Sequence, residues 1–349
     1  MVDLPMMYKV VDALPKHARL ILLGDKDQLA SVEAGAVLGD ICSFHAFGFG
    51  AEQASAVAKL TGFDTLAFSA NSNASIADSL CMLQKSYRFD ARSGIGQLAR
   101  AVNVGSAAKV DEVWLRDFTD IEHFALSSQN YNQMIQTLVS EYGRYLKRIG
   151  HPEIDPKTGE PETLTHQAKA VLESFNQCRL LCAIREGDFG VIGLNQRIEK
   201  ALAARKLIQT QDELWYHGRP VMVTRNDHGL GLYNGDIGIC MRDNSEEVSR
   251  LKVFFELPDG SMKSVLPSRV PEHETAYAMT IHKSQGSEFD YTLMILPPDF
   301  SPILTRELIY TGITRAKKRL SMYAEMGVLK RGIKVKTTRA SGLISRLSG

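Results

Sequence analysis

The chain has 349 residues, of which 44% are hydrophobic and 23% are charged, and its formal net charge is +1. This composition is that of a globular protein long enough for two or three domains. The chain has no apolar run near the ~18 residues that span a bilayer, no signal-peptide pattern at its start, and five cysteines without a CxxC pair. We therefore expect a cytoplasmic protein with no membrane segment, disulfide framework or metal site.

The first part of the chain predicts one helix followed by one strand. Apolar side chains recur at helical spacing over residues 4–14, and the segment from Pro15 to His17 interrupts that helix. Residues 19–23 predict a buried strand of a parallel sheet, which ends at Gly24. Residues 44–74 are less regular and rich in Ala, Ser and Gly, which indicates surface excursions.

The middle of the chain alternates helices with strands. We predict helices over residues 95–102, 131–149 and 164–176 and from about Gly190, and strands over residues 123–126 and 179–184. Residues 151–163 are rich in Pro, Gly and charge, as is typical of a linker or exposed loop. The alternation favours an α/β fold in which helices cover both faces of a parallel sheet.

A different period begins at about residue 211. Short apolar runs separated by turn signals, including Asn234-Gly235 and Asp259-Gly260, predict four or five strands of a small β-barrel over residues 211–272. This segment has seven basic and ten acidic residues, so it is not an electrostatic clamp for nucleic acid. We expect a module that guides a strand or faces a partner, with few phosphate contacts.

Two later stretches carry the pattern that matters most for function. The first, AYAMTIHKSQGSEFD at residues 276–290, predicts a buried strand that opens onto a polar, glycine-containing turn. The second, IYTGITRAKKRL at residues 309–320, predicts a helix from which the Arg315 guanidinium projects. A fixed guanidinium of this kind suits a transferring phosphoryl group. Residues 291–296 and 319–324 predict two further strands of the sheet.

The end of the chain is strongly basic. Ten basic residues and one acidic residue, Glu325, lie between Arg315 and Arg346. Such a run is either a solvated tail or a surface for a phosphate backbone or an acidic partner, and both interpretations stay open.

Together, residues 276–290 and 309–320 resemble the fifth and sixth motifs of superfamily 1 helicases. The strings LLGDKDQLASVEAGAVLGDIC and LCMLQKSYRF are similar to the RecD-like branch of that family, and the second contains its fourth motif. The resemblance implies RecA-like parallel sheets with helices on both faces and an inserted small β-barrel. It implies four segments, namely the end of a first motor domain (1–78), a second motor domain in two parts (79–210 and 273–349), and the insert (211–272).

The resemblance also implies roles for individual residues. Arg315, Arg88 and Gln28 would act in catalysis, and these three with Gly24, Asp25, Gly286 and Glu288 would contact the nucleotide. Thr280, His282, Lys283 and Asn195 would contact DNA. Two simpler interpretations stay open, because Asn195 lies where a helix cap is common and a lone His282 in a loop is often only a structural hydrogen-bond partner.

One expected motif does not occur in the sequence. ATP hydrolysis in this class uses a GxxxxGK[ST] loop and an acidic pair for magnesium, but the chain contains no Gly-Lys dipeptide. Its start, MVDLPMM, is similar to the segment that follows the acidic pair in RecD-like proteins. We therefore expect a C-terminal fragment that binds no ATP or Mg²⁺ and is inactive alone, whereas the full-length protein would use both.

The resemblance implies a 5′-to-3′ DNA helicase subunit of an exonuclease V type of complex, which acts in double-strand-break repair and recombination. Its partners would be single-stranded DNA at a duplex end and RecB- and RecC-like subunits. Two alternatives stay open: a stand-alone RecD-like or relaxase-linked helicase, and a non-catalytic module that binds DNA or protein.

Overall fold

A computed structural model of the chain describes residues 3–30, 37–63, 65, 75–83, 86–89, 92–154, 159–210, 214–244, 248–337 and 342–347. The chain divides into two compact units, one of residues 1–90 with 336–349 and one of residues 91–335. No helix in the described ranges is long and apolar enough to cross a bilayer.

The first unit begins with helix α1 (Leu4–Ala13), which confirms the helix predicted over residues 4–14. The Asp3 carboxylate accepts a hydrogen bond from the Met6 N–H at 2.7 Å and so satisfies one of the free donors of the helix end. The further helices of this unit are α2 (Val37–Ser43), α3 (Ala51–Thr61) and a short C-terminal helix (Leu343–Leu347).

The buried strand predicted over residues 19–23 is wrong. The segment has no regular secondary structure, and the side chains of Ile21 and Leu23 are 80% and 89% exposed. A parallel strand is buried only when other strands pair with it and helices cover the sheet. The described part of this unit contains no strand of that kind. An apolar run therefore indicates a segment that can be buried. Whether it is buried depends on neighbouring strands and helices that cover it.

The second unit contains seven α-helices, one short 3-10 helix (Pro267–Arg269) and ten strands in its described part. In chain order the α-helices and strands are α4 (Gly94–Val104), α5 (Ala107–Leu115), β1 (Ile121–Phe124), α6 (Ser128–Gly150), α7 (Leu164–Phe175), β2 (Cys178–Cys182), α8 (Val191–Ala204), β3 (Pro220–Val223), β4 (Ile237–Asp243), β5 (Arg250–Glu256), β6 (Met262–Val265), β7 (His273–Thr275), β8 (Ala278–Thr280), β9 (Phe289–Ile295), α9 (Arg306–Ile313), β10 (Ala316–Tyr323) and α10 (Met326–Gly332). The predicted central helices correspond to α4, α6, α7 and α8, and all the predicted strands of this unit are present with ends shifted by a few residues.

A parallel five-stranded sheet with the order β1-β10-β9-β2-β8 forms the centre of the second unit. Successive residues of β9 point to opposite faces, as the pleat requires. Leu293 packs in the core with α6 and α7. Met294 faces α9, where a Cβ on Gly312 would come within 2.8 Å of its sulfur atom. Helices therefore cover both faces of the sheet, which confirms the predicted α/β fold.

The second sheet is antiparallel and has the order β6-β5-β4-β3-β7. It has its own apolar core, in which Val221, Val253 and Phe255 are fully buried. Gly235 and Gly260 have positive φ angles of 101° and 80°, and they lie in the two predicted turns. The predicted strand number is confirmed, although the last strand, β7, begins one residue beyond residue 272.

Arg179 is a completely buried cation near the amino end of β2 in the parallel sheet. Its Nη1 donates to the Ala276 carbonyl at 2.7 Å and its Nη2 donates to Asn176 Oδ1 at 2.9 Å. The guanidinium carbon lies 3.9 Å from the centre of the Phe175 ring and 5.2 Å from that of Phe289. Burial lowers the pKa of Arg179. Hydrogen bonds and aromatic faces, rather than a carboxylate, therefore compensate the desolvation of this charge.

Replacing Arg179 should destabilise the second unit. Arg179→Ala leaves a cavity and two acceptors without their donor, so we expect a loss of about 3 kcal/mol in the free energy of unfolding, measured by urea titration. Arg185→Ala is the matched control, because Arg185 is exposed and its ion pair with Glu274 should contribute less than about 1 kcal/mol. Equal effects of the two substitutions would contradict a structural role for Arg179.

Candidate functional site

The loop between β8 and β9 contains most of the predicted site residues of the second unit. It leaves the carboxyl end of β8 at Thr280 and returns to the amino end of β9. The Ser284 N–H donates to the Thr280 carbonyl at 3.2 Å, and the Ser287 N–H donates to the Ser284 carbonyl at 3.0 Å. The Lys283 N–H donates to Thr280 Oγ1 at 3.3 Å. The loop is therefore a compact series of turns, and the Thr280 hydroxyl helps to close it.

Gly286 lies in the exposed part of this loop. Its φ angle is +84°, a conformation that favours glycine, and no other atom lies within 4 Å of the position that a Cβ would occupy. The neighbouring Ser287 and Glu288 are exposed. A ligand can therefore approach the backbone closely here. His282, by contrast, is half-buried.

Arg315 lies between α9 and β10 and is 4% exposed. Its Nε donates to the Thr311 carbonyl at 3.1 Å, and its Nη1 donates to the Ser287 carbonyl at 3.0 Å. The expectation of a guanidinium that projects from a helix is therefore wrong. The last turn of a helix has carbonyl groups without partners, and Arg315 folds back to bind one of them.

Arg315 also joins the two sequence stretches that carry the predicted function. Besides the hydrogen bond from its side chain to Ser287, its own carbonyl accepts a hydrogen bond from the Phe289 N–H at 2.9 Å. The residue therefore contacts the end of the loop on both its side-chain and its main-chain sides. A displacement of residues 286–288 must disturb Arg315, and the reverse is equally true.

A cleft of about 560 Å³ separates part of this loop from the antiparallel sheet. Lys283 and Glu288 from the loop line it together with Asp236, which immediately precedes β4, and Glu256, the last residue of β5. Lys283 Nζ crosses to Asn234 Oδ1 at 2.6 Å. The cleft thus brings together a residue predicted to bind DNA and one predicted to bind nucleotide. Its other charged lining residues are mainly acidic.

Asn195 lies inside α8, is 6% exposed and uses its whole amide on the backbone. Its Nδ2 donates to the Thr275 carbonyl at 2.9 Å and to the Ala278 carbonyl at 3.2 Å, and its Oδ1 accepts from the Ala278 N–H at 2.9 Å. The cap of this helix is Gly190, so the interpretation of Asn195 as a cap is wrong. A contact with DNA stays a prediction, and it would have to replace these hydrogen bonds.

The remaining predicted residues belong to the first unit. The Asp25 carboxylate accepts hydrogen bonds from the Asp27 N–H at 3.0 Å and from Gln28 Nε2 at 3.1 Å. A Cβ on Gly24 would come within 2.6 Å of the Leu38 side chain. The Arg88 guanidinium lies 4.7 Å from the centre of the neighbouring Phe89 ring. Asp25 therefore orders the turn that presents Gln28, and the catalytic roles of these residues stay predictions.

Much of the basic C-terminal run is engaged within the second unit. Lys318 Nζ contacts Asp290 at 2.7 Å, Arg319 contacts Glu122 at 2.9 Å, and Lys330 contacts Asp111 at 2.7 Å. The Arg331 guanidinium lies 4.0 Å from the centre of the Phe300 ring. These contacts favour neither a fully solvated tail nor a continuous surface of unpaired positive charge.

Two residues that hold the site in place, Arg179 and Tyr277, are not among those predicted to be functional. Tyr142 Oη donates to the Tyr277 carbonyl, and the Tyr277 hydroxyl lies 3.2 Å from that of Tyr216. Burial raises the pKa of Tyr277, so the hydroxyl stays protonated. For Arg179, the sequence signal is a single charged residue within the otherwise apolar strand CRLLC. Its partners lie 97 and 3 residues away along the chain, and the more distant one cannot be inferred from local pattern.

Three family models match parts of the chain. They are described as "UvrD-like helicase C-terminal domain" (residues 275–323), "ATP-dependent RecD-like DNA helicase SH3 domain" (residues 194–255) and "AAA domain" (residues 1–61). The first match contains the loop after β8 and Arg315, and the second contains β3, β4 and nearly all of β5.

The chain is also similar to curated proteins over nearly its whole length. It is 40% identical to the RecBCD enzyme subunit RecD of Haemophilus influenzae, over 98% of this chain and 52% of that protein. It is 33% identical to the protein of the same name from Mycobacterium tuberculosis, over 99% of this chain and 52% of that protein. The chain thus spans about half the length of these relatives. A Pif1 helicase structure from Bacteroides, with ADP-AlF3 and ssDNA, is 16% identical over 73% of this chain and 53% of that chain, with a TM-score of 0.36.

Asn195→Leu should test whether the buried amide is structural. It keeps the branched shape of the side chain, with more bulk, and removes three hydrogen bonds with backbone groups, so we expect a loss of about 2–4 kcal/mol in the free energy of unfolding by urea titration. Gln196→Leu, a change at the exposed neighbour in the same helix, should stay within about 0.5 kcal/mol of the unsubstituted chain. Normal stability of Asn195→Leu combined with weaker binding to single-stranded DNA would instead support the predicted DNA contact.

Proposed function

We propose that this chain, which belongs to the RecD family, forms part of an ATP-dependent DNA helicase that moves 5′ to 3′ along one strand at a duplex end. The observation that carries the proposal is the contact between Arg315 and the Ser287 carbonyl. This hydrogen bond joins the loop that would bind DNA and nucleotide to the arginine that would contact the γ-phosphate of ATP. To stabilise the charge that develops during phosphoryl transfer, the buried guanidinium would exchange one of its present hydrogen bonds for one to the phosphate.

In this proposal the loop after β8 has a ligand at each of its ends. Thr280, His282 and Lys283, near the carboxyl end of β8, would contact phosphates or sugars of single-stranded DNA. Gly286 and Glu288, near the amino end of β9, would contact the nucleotide, with the carboxylate accepting from the ribose hydroxyls. The exposed backbone at Gly286 supports this assignment, because it permits a phosphate to approach closely.

The first unit would contribute to the same reaction through Gln28 and Arg88. An amide such as that of Gln28 can donate to a phosphate oxygen and accept from water without a change of charge. The Asp25 carboxylate already holds this side chain by its Nε2 group. ATP and Mg²⁺ would be the cofactors of the complete protein, whose phosphate-binding loop has to come from outside these 349 residues, because they contain no Gly-Lys pair.

The four proposed segments are residues 1–78, 79–210, 211–272 and 273–349. The compact division at residue 90 groups Arg88 with the first unit, whereas the proposal assigns it to the second motor domain. RecB- and RecC-like subunits are the proposed partners, in a cytoplasmic complex. Co-purification of the tagged complete gene product from its native host distinguishes this complex from a stand-alone helicase, because only a subunit would bring such partners with it.

The 349-residue chain should not hydrolyse ATP by itself. It lacks the loop that binds the phosphates, so we expect no magnesium-dependent release of phosphate with or without single-stranded DNA, while the complete gene product should show DNA-stimulated turnover. Turnover by the 349-residue chain that Arg315→Ala abolishes would contradict the proposal.

Arg315→Ala in the complete gene product should lower ATP turnover by roughly 10³-fold, as for other arginines that stabilise phosphoryl transfer. Arg319→Ala is the matched control, since this exposed arginine pairs with Glu122 and lies four residues away. Because Arg315 also makes structural hydrogen bonds, the urea midpoint must be measured alongside. Loss of DNA affinity with normal turnover would overturn the assignment.

A further inference from the structure

A second concave site lies at the carboxyl end of the parallel sheet and is not used in the function proposed above. Its volume is about 400 Å³, and six of the residues that line it are Ser127, Tyr131, Asp188, Phe189, Arg197 and Pro298. We call these six residues the aromatic pocket.

The aromatic pocket has a rigid floor and a cationic side. The Tyr131 and Phe189 rings are half-buried against the main core, and their centres lie 5.6 Å apart at an angle of 75°. Tyr131 Oη donates to the Asp188 carbonyl at 3.0 Å, which fixes the ring relative to the loop before α8. The exposed Arg197 places its guanidinium carbon 5.7 Å from the centre of the Tyr131 ring. Two anchored rings and an arginine are groups that stack on flat, aromatic ligands.

The position of the aromatic pocket relates it to the predicted DNA residues. Its members follow the carboxyl ends of β1, β2 and β9, and Thr280 ends β8 at the same edge, paired with Cys182 of β2. Neighbouring strands lie about 4.8 Å apart, so β9 is roughly 10 Å and β1 roughly 20 Å from β8 across the sheet. A chain that passes Thr280 along this edge therefore reaches the aromatic pocket.

We propose that the aromatic pocket binds a nucleobase of single-stranded DNA by stacking, an inference that rests on the DNA-binding function proposed above. The charges in the pocket favour a base over a phosphate, because the Asp188 carboxylate balances the Arg197 guanidinium. The Ser127 hydroxyl caps α6 by accepting from the Asn130 N–H at 3.0 Å, which leaves its own proton to donate to the edge of a base. Stacking on aromatic faces is tolerant of sequence, as a translocating protein requires.

The test uses the complete gene product and a DNA duplex with a single-stranded 5′ extension of thymidines, whose duplex end fixes the register. Binding is measured by fluorescence anisotropy. Tyr131→Ala should weaken binding by about 5- to 100-fold, the effect of losing one stacked base. Tyr131→Phe keeps the ring and should bind within about twofold of the unsubstituted protein. In a second series, one nucleotide of the extension is replaced by an abasic site, and this site is moved along the extension one position at a time. The abasic site should weaken binding at one position only. This effect should occur in the unsubstituted protein and in Tyr131→Phe, and it should be absent in Tyr131→Ala.

Matched controls separate stacking from charge and from folding. Arg197→Ala and Arg319→Ala each remove an exposed arginine that lies over a tyrosine ring, but Arg319 and Tyr291 lie towards the amino end of the strands. Arg197→Ala should weaken binding several-fold more than Arg319→Ala, with unchanged circular dichroism and urea midpoints for all variants. Absence of DNA binding by the unsubstituted protein would overturn both this inference and the proposed function. If the unsubstituted protein binds DNA normally, and neither Tyr131→Ala nor the abasic site weakens that binding, this inference alone is overturned. The same holds if Tyr131→Ala prevents the binding of a protein partner and leaves DNA binding unchanged.

Discussion

Four residues, 275–278, join the antiparallel sheet to the parallel sheet, and buried side chains hold every one of their carbonyl groups. Asn195 binds the carbonyls of Thr275 and Ala278, Arg179 binds that of Ala276, and Tyr142 binds that of Tyr277. A buried backbone group without a partner would cost about as much as a lost hydrogen bond, so each of these contacts is needed. The loop that carries Thr280 to Glu288 begins immediately after this junction, and its position depends on it.

Local pattern was sufficient for the elements of the second unit but not for the interactions that hold them. The apolar periodicity of α6 and the turn glycine Gly235 are visible in short windows of sequence, and the structure confirms both. Asn195 is also visible as a polar residue on an apolar helix face. Its partners, however, lie 80 and 83 residues further along the chain. A window of a dozen residues contains no information about such pairs, so a structural amide could not be distinguished from one that contacts a ligand.

Two predictions about burial, the buried strand at residues 19–23 and the projecting guanidinium of Arg315, are wrong for the same physical reason. Residues 20–23 are apolar but exposed, whereas Arg315 is charged but buried. The type of a side chain determines the free energy of transferring it from water to the protein interior. Whether it is buried depends also on the packing and hydrogen-bond partners that the rest of the fold provides. The run at residues 19–23 has no paired strand in the described part of its unit. Three of the acceptors of Arg315 are the Thr311 carbonyl in α9, the hydroxyl of Thr314 at the end of that helix, and the Ser287 carbonyl.

The path of the loop suggests how the two ends of the proposed motor site communicate. Thr280 lies at the carboxyl end of β8 and Ser287 lies near the amino end of β9, so one short segment spans the depth of the sheet. Internal hydrogen bonds make the segment stiff, and the junction at residues 275–278 fixes its start. If Arg315 displaces the Ser287 carbonyl in the proposed motor, the fixed junction would direct that movement into the turns around Lys283. Lys283 is the residue that crosses to Asn234 of the antiparallel sheet, so that sheet would receive the movement next.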